Sequence, residues 1–143
     1  MTTLTQLRKY SAELVDLHHT LALMQWDQEV RMPRRAAEGR AEQFATLSAM
    51  VHRREVAPEL GALLAEAEAK TGLSLEDRAL VRVMRRSYDQ NTKLPEEFVT
   101  ELSRLTSQAQ MAWLEARKQS DFAIFQPVLE RLVVMARQQA EYL

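Results

Sequence analysis

The sequence predicts an all-α fold, a bundle of about six amphipathic helices, and three observations predict it. Strong helix formers, chiefly Ala, Leu, Glu, Gln and Arg, dominate the 143 residues. Apolar residues recur at spacings of three and four, the signature of a helix with one buried face. Pro33, Pro58 and Pro95 punctuate those periodic stretches, and no alternating run reads as a strand.

Thr3 with Gln6 forms a capping box for a first helix over 4–25, whose stripe is Leu4, Leu7, Tyr10, Leu14, Leu17, Leu21 and Met24. Pro33 lacks a backbone donor and biases Met32 away from helical angles, so 26–35 reads as a break or tight turn. A second helix follows, with Ala41, Phe44, Leu47 and Val51 inward. Pro58 suits the first turn of a third, carrying Leu60, Leu63, Leu64 and Ala67 and stopped by Thr71 and Gly72. Ser74 with Asp77 caps a fourth, expected to bury Leu80, Val83, Met84, Ser87 and Tyr88 and to end in the polar stretch 89–93. Pro95, Glu96 and Glu97 open a fifth, with Phe98, Leu102, Leu105, Ala109, Ala112 and Ala116 on one face, small enough late in the helix for a neighbour to approach closely. Asp121 is the expected cap of a sixth, with Phe125, Leu129, Leu132, Ala136, Gln139 and Leu143 inward.

This length suits one domain over 1–143, which on folding should bury roughly 70% of the surface of the unfolded chain. The 19 basic and 20 acidic residues nearly cancel, so no overall field marks a binder of nucleic acid or anionic lipid. With no cysteine, disulfides, thiolate metal sites and thiol nucleophiles are excluded. Residues 1–7 are polar rather than a leader, and no run is long enough to span a membrane, so a cytoplasmic location is expected. The carboxyl end has no Gly, Pro, Lys or Arg in its last turn, and Glu141 opposes the helix dipole there, which reads as a cut.

Tests for chemistry return little. A zinc-protease helix needs two His four residues apart with a carboxylate beside them, and no pair has that spacing. His52 and Glu55 begin an inverted pattern, but Val56 stands where the second ligand belongs. His18 lies on the first stripe and His19 on its flank; a packing histidine is favoured over a proton-transfer pair. Gly39, Gly61 and Gly72 are isolated and form no phosphate loop. Arg78, Arg82, Arg85 and Arg86 share a helical face, and Arg31, Arg34, Arg35 and Arg40 crowd the turn after the first helix. Acidic neighbours favour a solvated or ion-paired face over phosphate binding. Trp26 and Trp113 read as core rather than ligand platforms.

Two motifs carry more: Trp26-Asp27-Gln28-Glu29-Val30-Arg31-Met32-Pro33, then Arg40-Ala41-Glu42-Gln43. With Leu94-Pro95-Glu96-Glu97, Thr106 to Gln110, Trp113, Glu115 to Arg117, Asp121-Phe122 and the block 127–143, the chain resembles the amino-terminal helical region of the Taq-type zinc metallocarboxypeptidases. Arg34 and Arg35 depart from that family's usual continuation after the proline. The resemblance implies part of a larger helical metallopeptidase, usually dimeric, that uses zinc-bound water to release residues from peptide carboxyl ends. It implies that the first helices form one wall and part of the lid over a substrate groove, with the zinc ligands in later helices. Trp26, Asp27, Gln28, Pro33, Arg40, Glu42 and Gln43 carry over as signature positions with a structural or weak substrate-cleft role: Trp26 packing, Asp27 capping the turn, Arg40 pairing with a carboxylate.

The chain itself is therefore expected to have no catalytic residues, no metal ligands and no peptidase activity, zinc belonging to the complete enzyme. The alternative is a helical interaction module without enzymatic activity. Expected partners are the remaining catalytic region, a second copy through helix five or six, and peptide substrate only in the complete enzyme. Nucleic acid and membrane are not expected partners. Removing a larger fold's second layer should leave apolar surface exposed.

Overall fold

Residues 2–143 are described by a computed structural model. They form six α-helices: α1 (Thr3–Val30), α2 (Ala37–Glu55), α3 (Pro58–Glu68), α4 (Leu75–Asn91), α5 (Glu96–Gln119) and α6 (Gln126–Tyr142). Short 3-10 turns, Arg34–Ala36 and Phe122–Ile124, precede α2 and α6. There is no strand among the described residues, as the absence of period-two patterning predicts.

Local chemistry sets most boundaries. Thr2, rather than Thr3, caps α1 by accepting from the Thr5 amide, and Thr3 is buried inside the helix, bonded to Glu66 and Lys70. Ser74 caps α4 by accepting from the Asp77 amide and donates its own hydroxyl to the Asp77 carboxylate at 2.8 Å. Pro58 occupies the first turn of α3, where its missing donor costs nothing. The α5 helix stops at Ser120, which takes the left-handed conformation (φ 54) and lets Asp121 donate its amide back to the Ala116 carbonyl. Asp121 accepts from Ala123 and so caps the 3-10 turn; α6 starts only at Gln126, with Pro127 in its first turn.

The first helix runs five residues past its expected end. A proline forbids helical geometry to itself and disfavours it for its predecessor, so Pro33 stops the chain at Val30 and leaves 26–30 free to continue α1.

Packing divides between two apolar clusters. Leu7 and Tyr10 of α1, Leu60, Leu64 and Ala67 of α3, and Val81 and Met84 of α4 form one, with Tyr88 at its edge. Phe98 and Leu105 of α5 and Met135 of α6 form the other. Between them α2 lies along α5, burying Ala41, Phe44, Ala45, Ala49 and Val51. Small residues on α2 and on the facing stretch of α5 permit this, the close pairing the α5 stripe predicts.

Two faces are rotated from expectation. On α4 the buried row is Asp77, Val81 and Met84, while Val83 is 62% exposed and Ser87 is exposed. The Ser74 cap fixes Asp77 inward against Arg8, and that register carries Val81 rather than Val83 into the core. On α6, Val128, Leu132 and Met135 pack, whereas Ala136 and Leu143 are exposed. The Leu143 carbonyl that follows it receives Lys93 at 3.0 Å, a cation from the connection between α4 and α5.

The accessible surface is 9215 Å² for 16.5 kDa. A compact monomer of this mass exposes roughly 7,500 Å² and its unfolded chain roughly 23,900 Å², so the buried share is roughly 61% rather than the expected 70%.

Candidate functional site

The two motifs meet where the end of α1, the turn after it and the start of α2 lie against the middle of α5. Gln28 sits four residues after Met24, so the longer α1 carries it onto the buried stripe, and only 4% of it is exposed. Its amide group donates to the Ser107 carbonyl at 3.1 Å and accepts the Ser107 hydroxyl at 2.7 Å. The carbonyl can only accept, so the amide nitrogen faces it, and the hydroxyl proton goes to the amide oxygen. Every polar atom of the pair is satisfied, as burial demands.

Arg40, its side chain 16% exposed, closes the other side. It donates to the Asp27 carboxylate at 2.5 Å, to the Met24 carbonyl at 2.7 Å and to Gln43 at 3.1 Å. One guanidinium thus ties the last turns of α1 to the first turn of α2, using the planar fork that lysine lacks. The Asp27 carboxylate is consumed by this pair; its backbone carbonyl, not its side chain, receives the Arg31 and Met32 amides in the turn. Pro33, with φ −63, leads into the 3-10 turn, and its carbonyl accepts from Ala36.

The remaining signature residues extend the clamp onto α5. Arg104 forks onto Glu42 at 2.6 and 3.1 Å and reaches Glu101, which also takes Arg131 of α6. The Arg104 hydrogen bond holds the Glu42 carboxyl below its ordinary range and raises the Arg104 pKa in turn. Arg34 pairs with Glu115 at 2.5 Å, and the hydrogen bonds from Gln119 first and Arg34 second lower the Glu115 pKa. Trp26 is 52% exposed and Trp113 41% exposed, contrary to a core role, and Arg117 lies over the Trp113 ring at 5.6 Å.

This arrangement joins helices and leaves little free for reaction. Asp27, Glu42 and Glu115 each hold an arginine, so none is an uncommitted base. No histidine belongs to the junction: the exposed His18 pairs with Glu55 at 2.9 Å, and His52 is buried within α2. Among the described residues, no three His, Cys, Asp or Glu side chains converge so as to hold a metal ion. The chain's own residues therefore do not fit a catalytic zinc centre, which needs three protein ligands with an open position.

Sequence reasoning missed Ser107 as the partner of Gln28 and Arg104 as the hub of the clamp. The signal for the first was present: Leu21, Met24 and Gln28 continue the four-three rhythm once the helix passes Trp26. Nothing comparable marks Arg104, since its partners lie 62 residues away on α2 and one turn back on α5.

A family model described as carboxypeptidase Taq (M32) metallopeptidase matches residues 6–143. Thermostable carboxypeptidase 1 of Pyrococcus furiosus is 35% identical over 125 residues, 87% of this chain and 25% of that protein. The BsuCP crystal structure superposes with a TM-score of 0.94 at 28% identity, over 99% of this chain and 29% of that one. The M32 carboxypeptidase structure from Deinococcus radiodurans R1 gives a TM-score of 0.75 at 37% identity, again over 99% and 29%. The chain thus spans between a quarter and a third of the length of these relatives.

Proposed function

The chain belongs to the carboxypeptidase Taq (M32) metallopeptidase family, and from that premise we propose that it acts as the non-catalytic, amino-terminal scaffold of a metallocarboxypeptidase. In this reading the junction of α1, α2 and α5 fixes one wall of a peptide groove. Zinc, the general base and the peptide-releasing step all belong to the region that relatives carry beyond this portion. Asp27, Gln28, Pro33, Arg40, Glu42 and Gln43 hold the wall in place, Trp26 stands on its outer face, and none of the seven touches a reacting atom.

The observation that carries the reading is how the signature residues are spent. All the junction carboxylates named above are paired with arginines, and the one buried amide is paired with a serine. A catalytic constellation needs at least one group poised for a substrate proton or a metal. The unusually large surface supports the same reading, because the excess of roughly 1,700 Å² over a compact monomer is about twice what one partner contributes to a standard interface. Leu23, Trp26 and Val30, at 63%, 52% and 58% exposure, form an apolar row on α1. They point away from Gln28 and its α5 partner, as their helical spacing requires. The occupant we assign to this row is the remaining metallopeptidase region; pairing with a second copy is the competing outcome. No helix is long and apolar enough to cross a membrane among the described residues, and a cytoplasmic location goes with the proposal.

Peptide hydrolysis tests it. The purified chain, supplied with zinc, is expected to release no carboxy-terminal residue from peptides. Turnover that survives chromatography with the chain would overturn the scaffold role.

A further inference from the structure

Another concave surface lies where the end of α3 and the loop after it meet one flank of α4. The cavity, about 790 Å³, is lined by six cationic side chains against two acidic ones, whereas the whole chain carries a net charge of −1. Positive charge is concentrated here, not spread over the surface.

The cations differ in how far they are committed. Arg85 is forked onto Glu68 at 3.0 and 3.1 Å and reaches Asp89, so both acidic groups of the lining are spent on one arginine. Lys70 bonds Glu66 and Thr3, and Lys93 bonds the Leu143 carbonyl. Arg78, Arg82 and Arg86 have no ion-pair partner among the described residues, although all three line the cavity. They follow one another at i, i+4 and i+8, so their side chains leave one face of the helix at intervals of about 6 Å along its axis. Leu73 and the buried Val81 supply an apolar floor.

From this we infer that the α4 cavity binds a small ligand carrying several phosphate groups. Free guanidinium forks match phosphate oxygens two at a time and cannot lose their charge at accessible pH. The volume lies within the range of small-molecule sites, about 300–1,000 Å³, and the mixture of apolar floor and a few convergent polar groups is theirs too. A ligand of this kind would neutralise a local excess of charge that the protein leaves uncompensated. The site is separate from the α1–α2–α5 junction and does not depend on the scaffold reading.

Calorimetric titration of the whole chain with inorganic triphosphate at low ionic strength tests the inference. The expected result is saturable one-to-one binding that weakens as salt rises. Arg82→Gln and Arg86→Gln should each weaken it about tenfold, and Arg82→Lys, which keeps the charge but loses the fork, by less. Arg35→Gln, in the other basic cluster, should leave it unchanged. Far-UV circular dichroism establishes that each variant is folded. Absence of saturable binding, or an equal loss with Arg35→Gln, would overturn the site. So would tighter binding of a single-stranded oligonucleotide sensitive to the same α4 variants, which would identify a surface for a macromolecular polyanion.

Discussion

Replacing Gln28 with alanine tests the clamp at its buried centre. The substitution removes two hydrogen bonds to Ser107, each worth about 1 kcal/mol net. It also strands a hydroxyl in a site where Ser107 is 3% exposed. The full penalty for such a group is about 1–3 kcal/mol, but a helical serine can turn back to the carbonyl four residues earlier and recover part of it. The Ser107 carbonyl keeps its helical donor and loses only a second one. The expected destabilisation is therefore about 2–3 kcal/mol. With a urea dependence of about 2 kcal/mol per molar for a chain of this size, the midpoint should fall by about 1–1.5 M. Ser107→Ala alone should cost less, and the double variant should be more stable than the sum of the singles predicts, by about 1 kcal/mol or more. A Gln28→Ala midpoint indistinguishable from the parent, or strictly additive variants, would refute the pairing as the tie between α1 and α5.

Arg40→Ala should cost about 1.5–3 kcal/mol in the same assay, since three acceptors lose the largely buried guanidinium that donates to them, and Arg40→Lys should recover only part of it. Gly61→Ala places a methyl group 2.6 Å from the Tyr88 hydroxyl oxygen and 2.9 Å from its ring carbon. Overpacking of about 1–3 kcal/mol should outweigh the roughly 1 kcal/mol gain in helix propensity, and a Tyr88→Ala background should reverse the sign. Acid should weaken the fold through Glu13, Glu42, Glu66 and Glu115, whose pKa values are lowered by hydrogen bonds from Arg54, from Arg104, from Thr3 and Lys70, and from Gln119 and Arg34 respectively. A carboxylate with a lowered folded-state pKa contributes its stabilisation in full above the ordinary value of 4.5 and loses it as pH falls below that value. Urea midpoints should accordingly drop below about pH 4.5, and Glu42→Gln should flatten that dependence.

Much of the architecture was legible because helices are specified locally. Ser74, Pro58 and Pro95 mark starts by chemistry confined to one turn, and the structure places α3, α4 and α5 where those residues put them. Errors arose where local signals compete. The sequence places the break seven residues before Pro33, yet the proline ring constrains only itself and its immediate neighbours, so α1 runs to Val30. The faces of α4 and α6 were misphased because each has apolar residues on more than one side, and only contacts with Arg8 or α5 choose between them. Trp26 and Trp113 were expected in a core, but the chain offers none at those positions. At the junction, Arg40 and Asp27 are 13 residues apart across one short connection, close enough for a nearby carboxylate to be anticipated as the arginine's partner. Gln28 with Ser107 joins residues 79 apart, and no pattern along the chain encodes such a meeting.

The scaffold account is tested most directly by metal content. After equilibration with zinc and removal of loosely bound ions, elemental analysis of the purified chain should find no zinc above the buffer level. One tightly held zinc per chain, lost on substituting His18 or His52, would contradict the account, because it would place a metal centre within residues assigned here to support alone.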